Sequence, residues 1–101
     1  MDNMSNTLMS EMDFYVRKGI NADTEAIYDW QKQSYAIIGV PHDAGAMSSV
    51  ILHATIQQNR VIIHVDYTDR PLWKALTAAG VTRDNIVLAY AGEPAPTPTD
   101  S

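Results

Sequence analysis

Three side chains in the middle of this chain have types and spacing suited to chemistry: His53, His64 and Asp66. They sit on two apolar runs, Ser49–Gln57 and Arg60–Asp66, separated only by Gln58-Asn59. A two-residue hairpin loop needs positive φ, which Asn tolerates better than most residues. Pairing the runs across that loop sets Ile56 opposite Val61, Ala54 opposite Ile63 and Leu52 opposite Val65. The other face then brings His53 opposite His64 and Thr55 opposite Ile62. Two imidazoles so placed could hold a metal, or repel each other when both are protonated. A zinc site would need a third ligand. Asp66 is the near offer, and His42 lies on a loop. This constellation defines one reading, a small metal-dependent or acid–base enzyme using His53, His64 and Asp66. The simpler reading is a half-buried sheet face covered by a partner, where an imidazole is merely amphipathic. Asp66 and Asp69 could also act as a carboxylate pair, but a helix start accounts for both, since negative groups are favoured there. No cysteine is present, no serine sits in a nucleophile elbow, and no Gly-rich loop could cradle a phosphate. The residues therefore favour a protein with no catalytic site, cofactor or metal of its own.

The elements that position these residues follow from periodicity. Val61, Ile63 and Val65 alternate with Ile62, His64 and Asp66, the pattern of a strand with one face in a core. Thr68 and Asp69 can accept free N–H groups at a helix start, and Pro71 suits a first turn. Leu72, Ala75, Leu76 and Ala79 then recur at helical spacing, and Gly80 suits a left-handed stop. Upstream, 4–18 reads as an amphipathic helix with Met9, Met12, Phe14 and Val16 as core contacts and Gly19 as its end. Residues 24–30 and 34–40 alternate and can pair as a hairpin; PHDAGA at 41–46 is a loop. Ile86–Tyr90 is a short apolar fifth strand or extended segment. The expected fold class is α+β: an antiparallel β-meander of four to five strands, with an N-terminal and a C-terminal helix on one face. One domain spans 1–92, and the Pro-rich segment 93–101 is a disordered tail.

With 101 residues and 46% hydrophobic content, the chain can bury a modest core without staples. Its net charge of -5 argues against unaided, sequence-specific DNA binding. Arg17-Lys18 and Arg70/Lys74 are too sparse to read a groove. No apolar run is long enough to span a bilayer, the acidic first dozen residues are not a secretory signal, and a cysteine-free chain suits the cytoplasm.

From about Ile27 to Pro94 the chain resembles the XisI family, the fdxN element excision controlling factors of cyanobacteria and related bacteria. Tyr35 and Val40 fit an early strand of that family. Ile51, Leu52, His53 and Ile56 fit its apolar-apolar-His strand, followed by a tight turn and basic Arg60. Thr68-Asp69 stands where the family usually has Thr-Glu. Gly80-Val81, Asp84, Ile86-Val87-Leu88, Tyr90 and Pro94 fit its ending. The loop PHDAGAMSS is shorter than is usual there and lacks Trp and Arg. Asn59 replaces a usual Gly, and Ile62 and His64 replace Trp and Gln. The resemblance implies a non-catalytic, regulatory protein of DNA rearrangement that acts with XisH, an endonuclease-like partner.

The far face of the sheet is thus the expected interface, carrying Ile51, His53, Thr55, Ile62 and His64, with Ile27 or Ile38 from the first hairpin beside them. Two helices cover only one face of such a sheet, so a homo-oligomer or a complex with the XisH-like partner would bury the other.

Overall fold

The structure, a computed structural model, describes residues 3–95. In chain order it holds helix α1 (Asn3–Met12), strands β1 (Ala22–Asp29), β2 (Ser34–Pro41), β3 (Ser49–Gln57) and β4 (Arg60–Asp66), helix α2 (Leu72–Ala78) and strand β5 (Ile86–Leu88). The five strands form one sheet in the order β1-β2-β3-β4-β5. The first four pair antiparallel, as expected of a meander. The fifth pairs parallel to β4, Val61 against Ile86 and Ile63 against Leu88, which corrects the wholly antiparallel reading. Its direction follows from α2, which carries the chain back along the sheet so that β5 sets out beside the start of β4.

Both helices lie on one face. Leu8 and Met12 of α1 and Leu72 and Leu76 of α2 close over Tyr35, Ile37, Leu52, Ala54, Ile56, Val61 and Ile63, joined by Ile86 and Leu88. The Tyr35 hydroxyl, buried in this layer, is satisfied by Ser5 Oγ. The Gln58-Asn59 turn has φ of 53° and 61°, the doubly left-handed loop expected of a tight hairpin. Gly80 adopts φ 104° and ends α2, with Val81 N–H donating to the Leu76 carbonyl.

Helix α1 stops at Met12 rather than running to 18. Asp13–Tyr15 tightens into a 3₁₀ turn and Val16 is extended. The cause is tertiary: the Tyr28 hydroxyl on β1 donates to Asp13 Oδ1 at 2.8 Å, and Thr24 Oγ1 donates to the Tyr15 carbonyl at 2.5 Å. Phe14 and Val16, expected in the core, are exposed in consequence.

Two β-bulges decide which side chains face which way. Between β2 and β3, Ile37 pairs with Leu52 but Ile38 with Val50, so Ile51 is the extra residue. Between β3 and β4, Ala54 pairs with Ile63 but His53 with Val65, so His64 is the extra residue. The expected pairs Ile56–Val61, Thr55–Ile62 and Ala54–Ile63 are present; Leu52–Val65 and His53–His64 are replaced by Leu52–Asp66 and His53–Val65. A one-residue insertion exchanges the two faces beyond it. Val50 and Val65, expected in the core, therefore lie on the far face, and Asp66 turns towards the helices. Of the segment expected to be a tail, Glu93 is held by Leu88 N–H and Arg83, and 96–101 lies outside the described residues.

Candidate interface on the open face of the sheet

Residues that alternate with the buried cluster define the far face: Asp23, Glu25, Ile27 and Asp29 on β1; Ser34, Ala36, Ile38 and Val40 on β2; Val50, His53 and Thr55 on β3; Ile62, His64 and Val65 on β4. Neither helix packs there. Ile27 is 56% exposed and Val50 44%. Trp30, just past β1, is exposed as well.

His53 and His64 meet in the middle of this face, although the ladder does not pair them. The bulge at His64 brings its ring over that of His53, with centroids 4.9 Å apart and planes 27° from parallel. Each Nε2 has a hydroxyl partner: Ser34 Oγ lies 3.3 Å from that of His53 and Thr55 Oγ1 lies 2.8 Å from that of His64. Burial, and then the neighbouring His53, lower the pKa of His64 below the ordinary histidine value. His64 therefore favours its neutral form, stacked on the His53 ring on a half-buried face.

Asp66 does not join them. Its Oδ1 accepts from Thr68 N–H at 2.9 Å and Thr68 Oγ1 at 2.5 Å, and its Oδ2 accepts from Leu72 N–H at 2.8 Å. The carboxylate thus serves the start of α2, the task expected of Thr68 and Asp69, which make no side-chain bond to the α2 backbone N–H groups. Among the described residues, no three of His, Asp and Glu converge as a metal site would require. His42 is placed apart, with Nδ1 donating to the Ile20 carbonyl at 3.0 Å and Nε2 2.9 Å from Asp23 Oδ1. The Asp23 hydrogen bond in particular raises its pKa.

Of the five residues expected to form the interface, His53, Thr55 and His64 are half-buried on the open face. Ile62 lies on that side but is closed off between Thr55 and Val87, with no exposed surface. Ile51 packs against the buried cluster instead, because the bulge at that residue turns it towards the helix side. Val50 and Val65 take its place on the open face. The bulges that cause this exchange leave no mark in the sequence.

A second surface escaped the sequence reading. Phe14, Tyr15 and Arg17 form one wall of a groove of about 310 Å³, and Tyr67, Thr68, Asp69 and Arg70 the other, with Ile51 between them. The Tyr15 hydroxyl donates to the Arg70 carbonyl at 2.5 Å and ties the walls together. The Arg70 guanidinium lies 5.9 Å from the Phe14 ring centre. Phe14 and Tyr67 are nevertheless largely exposed.

A five-stranded sheet roofed by two helices on one side, with a mixed apolar and histidine face left open on the other, defines a small α+β protein. The model of the XisI protein family matches residues 2–100, and the chain belongs to that family. The fold is shared with two proteins of Anabaena variabilis ATCC 29413 known from crystal structures. A XisI-like protein superposes with a TM-score of 0.69 at 18% identity, covering 84% of this chain and 81% of the other. The fdxN element excision controlling factor XisI superposes with a TM-score of 0.67 at 19% identity, covering 85% and 88%. No curated protein matches the sequence.

Proposed function

We propose that this chain is a non-catalytic accessory protein that helps control excision of a DNA element by binding an XisH-like, endonuclease-type protein in the cytoplasm. Membership of the XisI family and the fold shared with an excision controlling factor supply the context. The observation that supports the binding role is the open sheet face, where Ile27, Ile38, Val50 and Val65 surround the histidine pair with no helix over them. An apolar face of this kind is characteristic of a surface that another protein covers. The exposed Phe14 and Tyr67 beside Arg17 and Arg70 add a second surface of the composition common in protein contacts.

The enzyme reading is the weaker one because its third residue is engaged elsewhere. Asp66 accepts three hydrogen bonds at the start of α2 and lies on the helix side of the sheet. Co-expression of the tagged chain with an XisH-like protein tests the proposal. The expected result is that the two purify together in fixed ratio, and that Val50→Asp reduces capture. Failure to capture a well-expressed partner would overturn it, as would a nuclease or hydrolase activity of the pure chain that His64→Ala abolishes.

A further inference from the structure

We infer that, when no XisH-like partner is bound, the occupant of the open sheet face is a second copy of the same chain, set across a two-fold axis that runs parallel to the strands between β2 and β3. This rests on the reading of that face as an interface and names what covers it.

Association through a sheet edge is disfavoured at both ends. The free edge of β1 is occupied at its start, where Lys18 bridges Asp23 and Thr24 N–H donates to the Arg17 carbonyl at 2.8 Å. The other edge, β5, has three residues and passes at once into the 3₁₀ turn Ala89–Ala91. Face-to-face packing remains. Four strands at about 4.8 Å spacing, each about 25 Å long, present roughly 500 Å² per copy. Two copies bury roughly 1,000 Å², the lower limit of a specific interface.

The charge pattern selects the axis. Asp23, Glu25 and Asp29 line the β1 side of the face, while the positively charged Arg60 lies on the β4 side. Arg60 has no carboxylate within ion-pair distance among the described residues. A two-fold axis across the strands would stack β1 on β1, carboxylate over carboxylate. An axis along the strands sets β1 of each copy over β4 of the other, and β2 over β3. Asp29 then approaches the partner's Arg60 end, Ile27 faces the His64–Val65 bulge, and Ala36 and Ile38 lie next to the axis. Opposite charges meet at both rims and apolar side chains fill the centre, as a self-complementary contact requires.

The cysteine-free chain makes this directly testable. Stacked sheets lie about 10 Å apart, so a short bis-maleimide spans the axis where a disulfide would not. Ala36→Cys should give a covalent dimer at tens of micromolar protein, and Glu25→Cys, roughly 7 Å to one side of the axis on each copy and so about 14 Å sideways from its mate by strand spacing, should not. Ile38→Cys is a second reporter should Ala36→Cys lower the melting temperature. Arg60→Glu should abolish the Ala36→Cys cross-link, and adding Asp29→Lys to it should restore the yield to at least half. No cross-link from either reporter in folded protein would overturn the two-fold, as would equal yields from Ala36→Cys and Glu25→Cys. If the reporters fail while Val50→Asp still blocks capture of the XisH-like partner, the self-contact falls and the accessory reading stands.

Discussion

Replacing Asp66 by alanine tests the most specific local consequence of the bulge at His64. The bulge turns this carboxylate from the open face to the helix side, where it accepts the N–H groups of Thr68 and Leu72 and the Thr68 hydroxyl. Pro71, at the N-cap position of α2, contributes no side-chain bond, so Asp66 does the capping from a distance of six residues. Leu72 has no exposed surface, and its freed N–H would have little access to water. Loss of a capping side chain costs about 1 kcal/mol, and a second orphaned donor at Thr68 about 1 kcal/mol more. Asp66→Ala should therefore destabilise the fold by roughly 2 kcal/mol. With a urea dependence of about 1–1.5 kcal/mol per molar for a domain of this size, the midpoint should fall by roughly 1.5 M. Asp66→Asn keeps an acceptor oxygen and should lose about half as much. Asp69→Ala, on an exposed residue with no helix-capping bond, should stay within about 0.5 kcal/mol of wild type. Urea unfolding followed by far-ultraviolet circular dichroism measures all three. A midpoint for Asp66→Ala within error of wild type, or a larger loss for Asp69→Ala, would refute the assignment.

Leu76→Ala and Leu72→Ala should each cost about 2–5 kcal/mol, because both leucines are fully buried between α2 and the sheet; near-neutral chemical denaturation would remove the helix from that position. The two titrating histidines should act in opposite directions. His64, lowered by burial, stabilises the fold fully above the ordinary histidine range, and that contribution is lost as the pH falls through its lowered folded value. His42, raised by its bond to Asp23, contributes fully below that range and loses its contribution as the pH rises through its raised value. Urea midpoints from about pH 5 to 8 should show the acid-side loss reduced in His64→Asn and the alkaline-side loss reduced in His42→Asn; the reverse assignment would contradict these environments. The isolated protein, acidic overall, should give no salt-resistant, sequence-dependent shift of duplex DNA.

Much of the fold was legible because β4 and α2 state their periods plainly. Val61 and Ile63 alternate with Ile62, Leu72 and Leu76 recur at helical spacing, and Asn59 and Gly80 mark the turns that need left-handed backbone. The bulges were not legible. Nothing in Ile51 or His64 distinguishes an inserted residue from a paired one, yet each insertion exchanges the faces that follow. That is why Val50 and Val65 were expected in the core, Ile51 on the open face and Asp66 beside the histidines. The end of α1 was hidden for a different reason. The 3–15 stretch has helical character throughout, and contacts from Tyr28 and Thr24, distant in sequence, cut the helix short. The histidine pair was legible as a neighbourhood but not as a geometry: the rings stack through the bulge instead of facing across a ladder position.

The central claim is that the open face works by being covered with protein, and the molar mass in solution tests it most directly. Light scattering of the pure chain, alone and mixed with an XisH-like protein at micromolar to tens-of-micromolar concentration, should give a mass above the 11.2 kDa of one chain in both samples. In both samples Val50→Asp should bring the mass back towards the single chain. A mass of one chain throughout, unchanged by concentration, by partner and by Val50→Asp, would contradict it.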